Sequence, residues 1–417
     1  GSIIVFLGMI ASSIFSYVFN MLMGRFLGPV HYGEMTVLLS FFMIVSVAGQ
    51  AVLTIVMRYS GELYSDKKYS GVNRLFKFFT KNITFLGTAI FLLGTIFIKP
   101  ISSMFSLSEY VPVLITLAAA VFALVLMVNK GILQGAQRFV AVSMAGVLEM
   151  AVRLTLGVML VRGGMMLNGA MTAIATAPLI AYLVSLIPIK NIFKNFRSEK
   201  EDKYYFDKKE MLGYAWPVFI TSLMLATSLN IDIFIIKYYF SPEQAGLYSA
   251  ISTISKIILY ATNPIVTVMF PMISESRIKG NKHYKLFLFS MLFTLIGALI
   301  ILGLYVVAPG KIISVLYGQK YVEFYSYLPE VGLVFLFYAM INLMANYYMA
   351  IKDFFFVWFY AISIILLIIV VTYNHSSLTV VIREFIIVFA MQFATMVSYY
   401  LYQKREQIAL MVKGEYE

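Results

Sequence analysis

The sequence predicts an all-α polytopic membrane protein with twelve transmembrane helices in two six-helix lobes. Three observations carry that expectation. Of the 417 residues, 61% are hydrophobic and 12% charged, with a mean hydropathy of +0.87, which is too little polar surface to solvate a globule. The apolar residues come in windows of about 20, long enough to cross roughly 30 Å of hydrocarbon as a helix. One long hydrophilic run, Lys190–Glu210, divides the chain near its midpoint, with six apolar segments on each side. The expected domains are an N-terminal lobe over 1–188, a cytoplasmic amphipathic linker over 189–210, and a C-terminal lobe with a short cytoplasmic tail over 211–417.

Each span is an apolar window bounded by short polar turns. In order they are Ile3–Met23, Glu34–Met57, Asn82–Ile98, Val111–Val128, Phe139–Val161 and Met165–Pro188, then Met211–Tyr239, Leu247–Phe270, Leu286–Ala308, Tyr327–Ala350, Phe354–Val371 and Leu378–Leu401. Pro217, Pro264 and Pro271 remove backbone donors within or near the end of spans seven and eight, where bends are expected. Of the 32 Lys and Arg residues, one set of alternate loops holds only Arg25, Lys99, Arg162, Lys237, Lys311 and Lys320. Most of the others fall in the opposite set and the C-terminal tail, so the positive-inside rule puts both termini in the cytoplasm of a cell inner membrane. The first segment is a full span rather than a cleaved signal. Gly1-Ser2 in place of an initiator Met reads as a tag remnant or a trimmed start.

Composition also excludes chemistry. No cysteine is present, so disulfides, thiolate catalysis and Cys-ligated metals are ruled out. His31, His283 and His375 are too scattered to form a metal cluster. The net charge of +12 sits in loops rather than on a folded basic face, which argues topology and not nucleic acid.

Two segments have an amphipathic pattern that suits the membrane surface. Ile189, Ile192, Phe193 and Phe196 recur at helical spacing among lysines, and Leu75, Phe76, Phe78 and Phe79 lie among Arg74, Lys77 and Lys81. Each is expected to rest on an anionic leaflet and to anchor the lobes.

The halves repeat each other. Leu27–Gly33 matches Phe240–Gly246 at an offset of 213, Ile101–Tyr110 matches Ile312–Tyr321 at 211, and Gln137-Arg138-Phe139 matches Lys352-Asp353-Phe354 at 215. An even number of spans per half inserts both copies the same way up, giving a pseudo-two-fold along the membrane normal.

At these residues the chain resembles a family. The GRFLGPVHYG turn, the NIDIFIIKYYFSPEQAGLYSA passage and the VLYGQKYVE passage are similar to the polysaccharide transporter branch, the Wzx-type O-antigen flippases, of the multidrug/oligosaccharidyl-lipid/polysaccharide exporter superfamily. The resemblance covers essentially the whole chain. It implies a V-shaped, MATE-like or lipid II flippase-like fold around a central cavity. The implied activity is movement of an undecaprenyl-pyrophosphate-linked oligosaccharide from the inner to the outer leaflet by alternating access. Implied partners are that lipid carrier, membrane lipids and other polysaccharide assembly proteins. Lipid II flippases carry two further spans that are absent here.

A pyrophosphate cannot cross hydrocarbon unaided, since one charge at the bilayer centre costs on the order of 3 kcal/mol or more. The candidate substrate-binding cations are therefore Arg25, Arg58, Arg153 and Lys256. Glu149 and Asp232 are the candidate ion-coupling groups or charge partners, with a proton or sodium ion as the coupling ion and no other cofactor. Arg153, Asp232 and Lys256 lie about 12 to 13 Å below the outer ends of their spans at 1.5 Å per residue. Glu149 and Arg153 are spaced to pair on one helix, and Asp232 and Lys256 share a depth on consecutive spans, so both pairs are also expected salt bridges. With Arg383 and Glu384, the six in-span charges sum to zero. Asn20, Gln50, Asn230, Asn263, Asn342, Asn346 and Gln392 are candidates for sugar hydroxyls or for interhelical bonds.

The alternative reading is a cation-coupled multidrug and toxin extrusion antiporter, which calls for acidic lobes and conflicts with Arg153 and Lys256. An enzyme would need a catalytic constellation, and no Asp-x-Asp pair, no His-Glu-x-x-His and no sizeable outer loop is present.

Overall fold

The computed structural model describes residues 2–194, 208–278 and 284–413, and among these the chain is helical with no strand. The helices are α1 (Ser2–Ser65), α2 (Tyr69–Ile96), α3 (Ile98–Met104), α4 (Val111–Gly135), α5 (Phe139–Leu160), α6 (Met166–Lys194) and α7 (Lys208–Tyr239). They continue with α8 (Pro242–Ser255), α9 (Ile257–Ile278), α10 (Tyr284–Val307), α11 (Pro309–Leu316), α12 (Leu328–Ala350), α13 (Phe356–Tyr373) and α14 (Leu378–Lys413). Ten helical stretches are long and apolar enough to span a membrane, and two of them have double length. Gly28 at φ 73° divides the first and Gly164 at φ 93° the second, conformations that L side chains avoid. Divided there, the described residues hold the twelve expected spans.

The chain forms two compact units. The first comprises Gly1–Ala226 with Ser241–Gly246, and the second Thr227–Phe240 with Leu247–Glu417. In the first unit α4 packs on α1, α2 and α6, and α5 packs on α1 and α6. Close approach of α1 and α4 depends on small residues. A side chain at Gly135 would meet the Met57 carbonyl at 2.7 Å and Gly61 N at 2.8 Å, and one at Gly131 would meet Val56 at 2.8 Å. That is the small-xxx-small logic of helix contacts in lipid.

In the second unit α12 packs on α9, α10 and α14, and α13 on α14. The sequence-equivalent spans α4 and α12 are the central helices of their units, buried on most faces. The repeat also recurs in backbone detail. Gln137 and Lys352, matched in sequence, adopt φ 57° and 58°. The residue after each bonds five positions back, Arg138 N to Leu133 O at 2.7 Å and Asp353 N to Tyr348 O at 2.9 Å. Asp353 then accepts from Phe355 N at 2.9 Å, capping the entry to α13, and from Tyr399 and Gln403 of α14, as side-chain oxygens do at helix starts.

One expectation needs correction. The stretches drawn as surface anchors are largely core. Ile189 and Ile192 are 1% and 4% exposed and share one apolar cluster with Leu75, Phe79 and Ile132, while the Phe193 ring lies 5.7 Å from that of Phe76. Burial of both apolar stripes against each other satisfies the same pattern that a lipid surface would. Arg74, Lys77 and Lys81 remain exposed on the opposite stripe of α2. Phe196 and most of the 189–210 linker lie outside the described residues. Span eight is also divided at Lys256 into α8 and α9, with Pro264 and Pro271 inside α9. There the Tyr305 hydroxyl donates to Ile254 O at 2.7 Å, occupying a carbonyl that a regular helix would offer to the residue four ahead.

Candidate functional site

In the first unit the charged group is built on α4 and α5. Lys130 Nζ lies 2.9 Å from Glu149 Oε2, with both side chains about 15% exposed at most. The expected Glu149–Arg153 pair is not made among the described residues. Arg153 Cζ instead lies 4.5 Å from the centroid of the Phe19 ring, and its buried Nε has no hydrogen-bond partner. A span drawn over Val111–Val128 leaves Lys130 in the following loop, yet α4 continues to Gly135. Inclusion of Lys130 places a second cation beside Arg153 and Glu149 in this unit.

In the second unit Asp232 is 3% exposed. Its Oδ2 accepts from Ser252 Oγ and from Tyr248 Oη at 3.2 Å, and its buried Oδ1 has no partner. Lys256 Nζ lies 3.5 Å from Asn230 Oδ1 and 5.6 Å from the Phe335 ring centroid. No ion pair joins Asp232 to Lys256 among the described residues, because Asn230 is what the lysine meets on α7. Lys237, counted with the loop cations from sequence, is 2% exposed inside α7.

The remaining candidates lie apart from these groups. Arg25 is exposed on α1. Arg58 Nε bonds Glu62 Oε1 at 3.2 Å on its own helix, with side chains 40% and 52% exposed. Arg383 is exposed and Glu384 buried on α14. Asn20 and Asn346 bond carbonyls one turn back on their own helices, whereas Gln392 is 2% exposed with neither amide atom partnered. No cluster of three metal-ligating side chains occurs among the described residues.

Residues 1–277 match the family described as polysaccharide biosynthesis protein. The chain belongs to this family. No curated protein matches it. Solved structures similar to this family member include an inward-facing MATE family multidrug resistance transporter of the MOP superfamily, at TM-score 0.78 and 12% identity, covering 96% of this chain and 95% of the other. The lipid II flippase MurJ in an inward closed conformation aligns at TM-score 0.68 and 18% identity, over 96% and 87% of the two chains. An outward-facing MATE structure aligns at 0.69 and 15%, over 98% and 95%. At these identities the likeness is one of fold, that of transporters and a flippase, and the ten long apolar helical stretches make this family member a multi-pass membrane protein.

Proposed function

We propose that the protein is a flippase that carries an undecaprenyl-pyrophosphate-linked oligosaccharide from the inner to the outer leaflet of the cytoplasmic membrane by alternating access, with both termini cytoplasmic. The observation that carries this reading is Arg153, a cation inside a span with no carboxylate partner among the described residues, its expected neutraliser Glu149 being held by Lys130. A lone cation in an apolar span is costly unless an anionic ligand meets it, and a guanidinium matches phosphate oxygens in a bidentate fork.

Family membership supports a role in polysaccharide assembly, where the sugar must reach the outer face on a lipid. Asp232 is the proposed coupling group. Among the described residues its Oδ2 accepts from two hydroxyls, and its Oδ1, without a hydrogen-bond partner, can take a proton or a sodium ion during the return step.

The test is cargo selectivity in proteoliposomes. Flipping of purified lipid-linked oligosaccharide, with no ion-driven uptake of a cationic dye, is the expected result. Dye transport without flipping would overturn the reading in favour of a multidrug antiporter.

A further inference from the structure

The Arg153 guanidinium lies over a ring that packs against bare backbone of α5. Phe19 of α1 is fully buried, and its centroid lies 4.5 Å from Arg153 Cζ. One turn farther along α5 stands Gly157, on the same face as Arg153. A Cβ there would sit 2.6 Å from Phe19 Cε2, 3.3 Å from Cδ2, and 3.5 Å from Ala173 Cβ of α6. The bare Gly157 carbon is therefore the space the ring occupies, with α6 closing the far side.

No hydrogen bond or ion pair to the guanidinium is made among the described residues. Its Nε has no hydrogen-bond partner, and the neighbouring carboxylate of Glu149 is turned to Lys130. An arginine anchored by carboxylates presents those carboxylates to an incoming anion as well. One anchored by an aromatic face keeps its charge and its N–H donors for the ligand.

We infer that Phe19 and Gly157 are positioning residues. The glycine makes room for the ring, and the ring holds Arg153 where it can meet the pyrophosphate of the lipid carrier. This rests on the proposed function for the identity of the ligand. It adds two residues that carry no charge and touch no anion themselves.

Equilibrium binding of undecaprenyl pyrophosphate to the full chain in lipid nanodiscs tests it. Phe19→Leu keeps apolar bulk and is expected to weaken binding about tenfold, whereas Phe19→Tyr keeps the ring face and should stay within about twofold. Gly157→Ala leaves the ring intact but displaces it, and should weaken binding as Phe19→Leu does. That variant carries the same test if the leucine variant does not fold. In an Arg153→Gln background, Phe19→Leu should cause no further loss.

Equal weakening by Phe19→Leu with and without Arg153 would show that the ring only packs, and would overturn the inference. Loss of binding in Arg153→Gln alongside unchanged binding in Phe19→Leu and Gly157→Ala would overturn it while leaving the proposed function standing. Unchanged binding in Arg153→Gln would instead defeat the reading of Arg153 on which both rest.

Discussion

Lys130 and Glu149 form a bridge of 2.9 Å between α4 and α5, and Arg153 stands one turn along α5 from the same carboxylate. Glu149 could reach either cation, since Arg153 is its i+4 neighbour. Lys130→Met frees the carboxylate to pair with Arg153 and so masks the cation. Transport should fall in Lys130→Met and recover in part when Glu149→Gln is added. Stability should drop by between about 1 and 3 kcal/mol in the single variant, because both side chains keep some exposure. Transport in the double variant no better than in the single would separate the bridge from the cation.

The Asp232 site makes a second prediction. Tyr248→Phe removes one of two hydroxyl donors from a buried carboxylate, a loss of about 1 to 3 kcal/mol. The same substitution in an Asp232→Ala background should cost clearly less. Thermal unfolding of the four proteins checks it, and equal losses in both backgrounds would contradict it.

A third prediction concerns the matched glycines of the sequence repeat. Within the first unit, a Cβ at Gly33 would meet Gly246 Cα at 2.8 Å and N at 2.9 Å, and one at Gly246 would strike the Pro29 carbonyl. Backbone atoms cannot swing aside, so Gly246→Val should loosen Ser241–Gly246 from the Pro29–Gly33 turn. Faster amide exchange in both segments is the expected outcome. Gly303 of α10 faces open space, and Gly303→Ala should be neutral or stabilising by up to about 1 kcal/mol.

The orientation is a fourth. Lys68→Cys lies in the turn between α1 and α2, and Ser376→Cys in the exposed turn before α14. An impermeant thiol reagent added to intact cells should label the second and spare the first. Labelling of Lys68→Cys from outside would invert the topology.

Spans were legible because hydropathy is a local property, and the repeat because its turns are short and ordered alike. Partner choice was not legible. The i, i+4 spacing of Glu149 and Arg153 correctly states that they can meet, but Lys130 reaches the same carboxylate from another helix, which no spacing rule registers. Matched depth likewise put Asp232 beside Lys256, yet depth says nothing about rotation around the helix axes, and Asn230 occupies the place at the lysine. The stripe of Ile189, Ile192 and Phe193 misled for a further reason. An apolar stripe flanked by lysines has one pattern whether it meets lipid or a second apolar helix, and here α2 supplies the second helix. Gly157 carried no signal at all, since its role is the absence of a side chain beside Phe19.

An unmasked Arg153 that moves an anionic headgroup makes flipping sensitive to an imposed membrane potential. A dianionic pyrophosphate moving toward the positive side gains roughly 2.3 kcal/mol per charge per 100 mV, or about 4 to 5 kcal/mol in all. In proteoliposomes with purified lipid-linked oligosaccharide, the rate should rise with potential, and Arg153→Gln should slow it at every potential. Rates that ignore the potential and are unchanged by Arg153→Gln would show that Arg153 does not carry the headgroup.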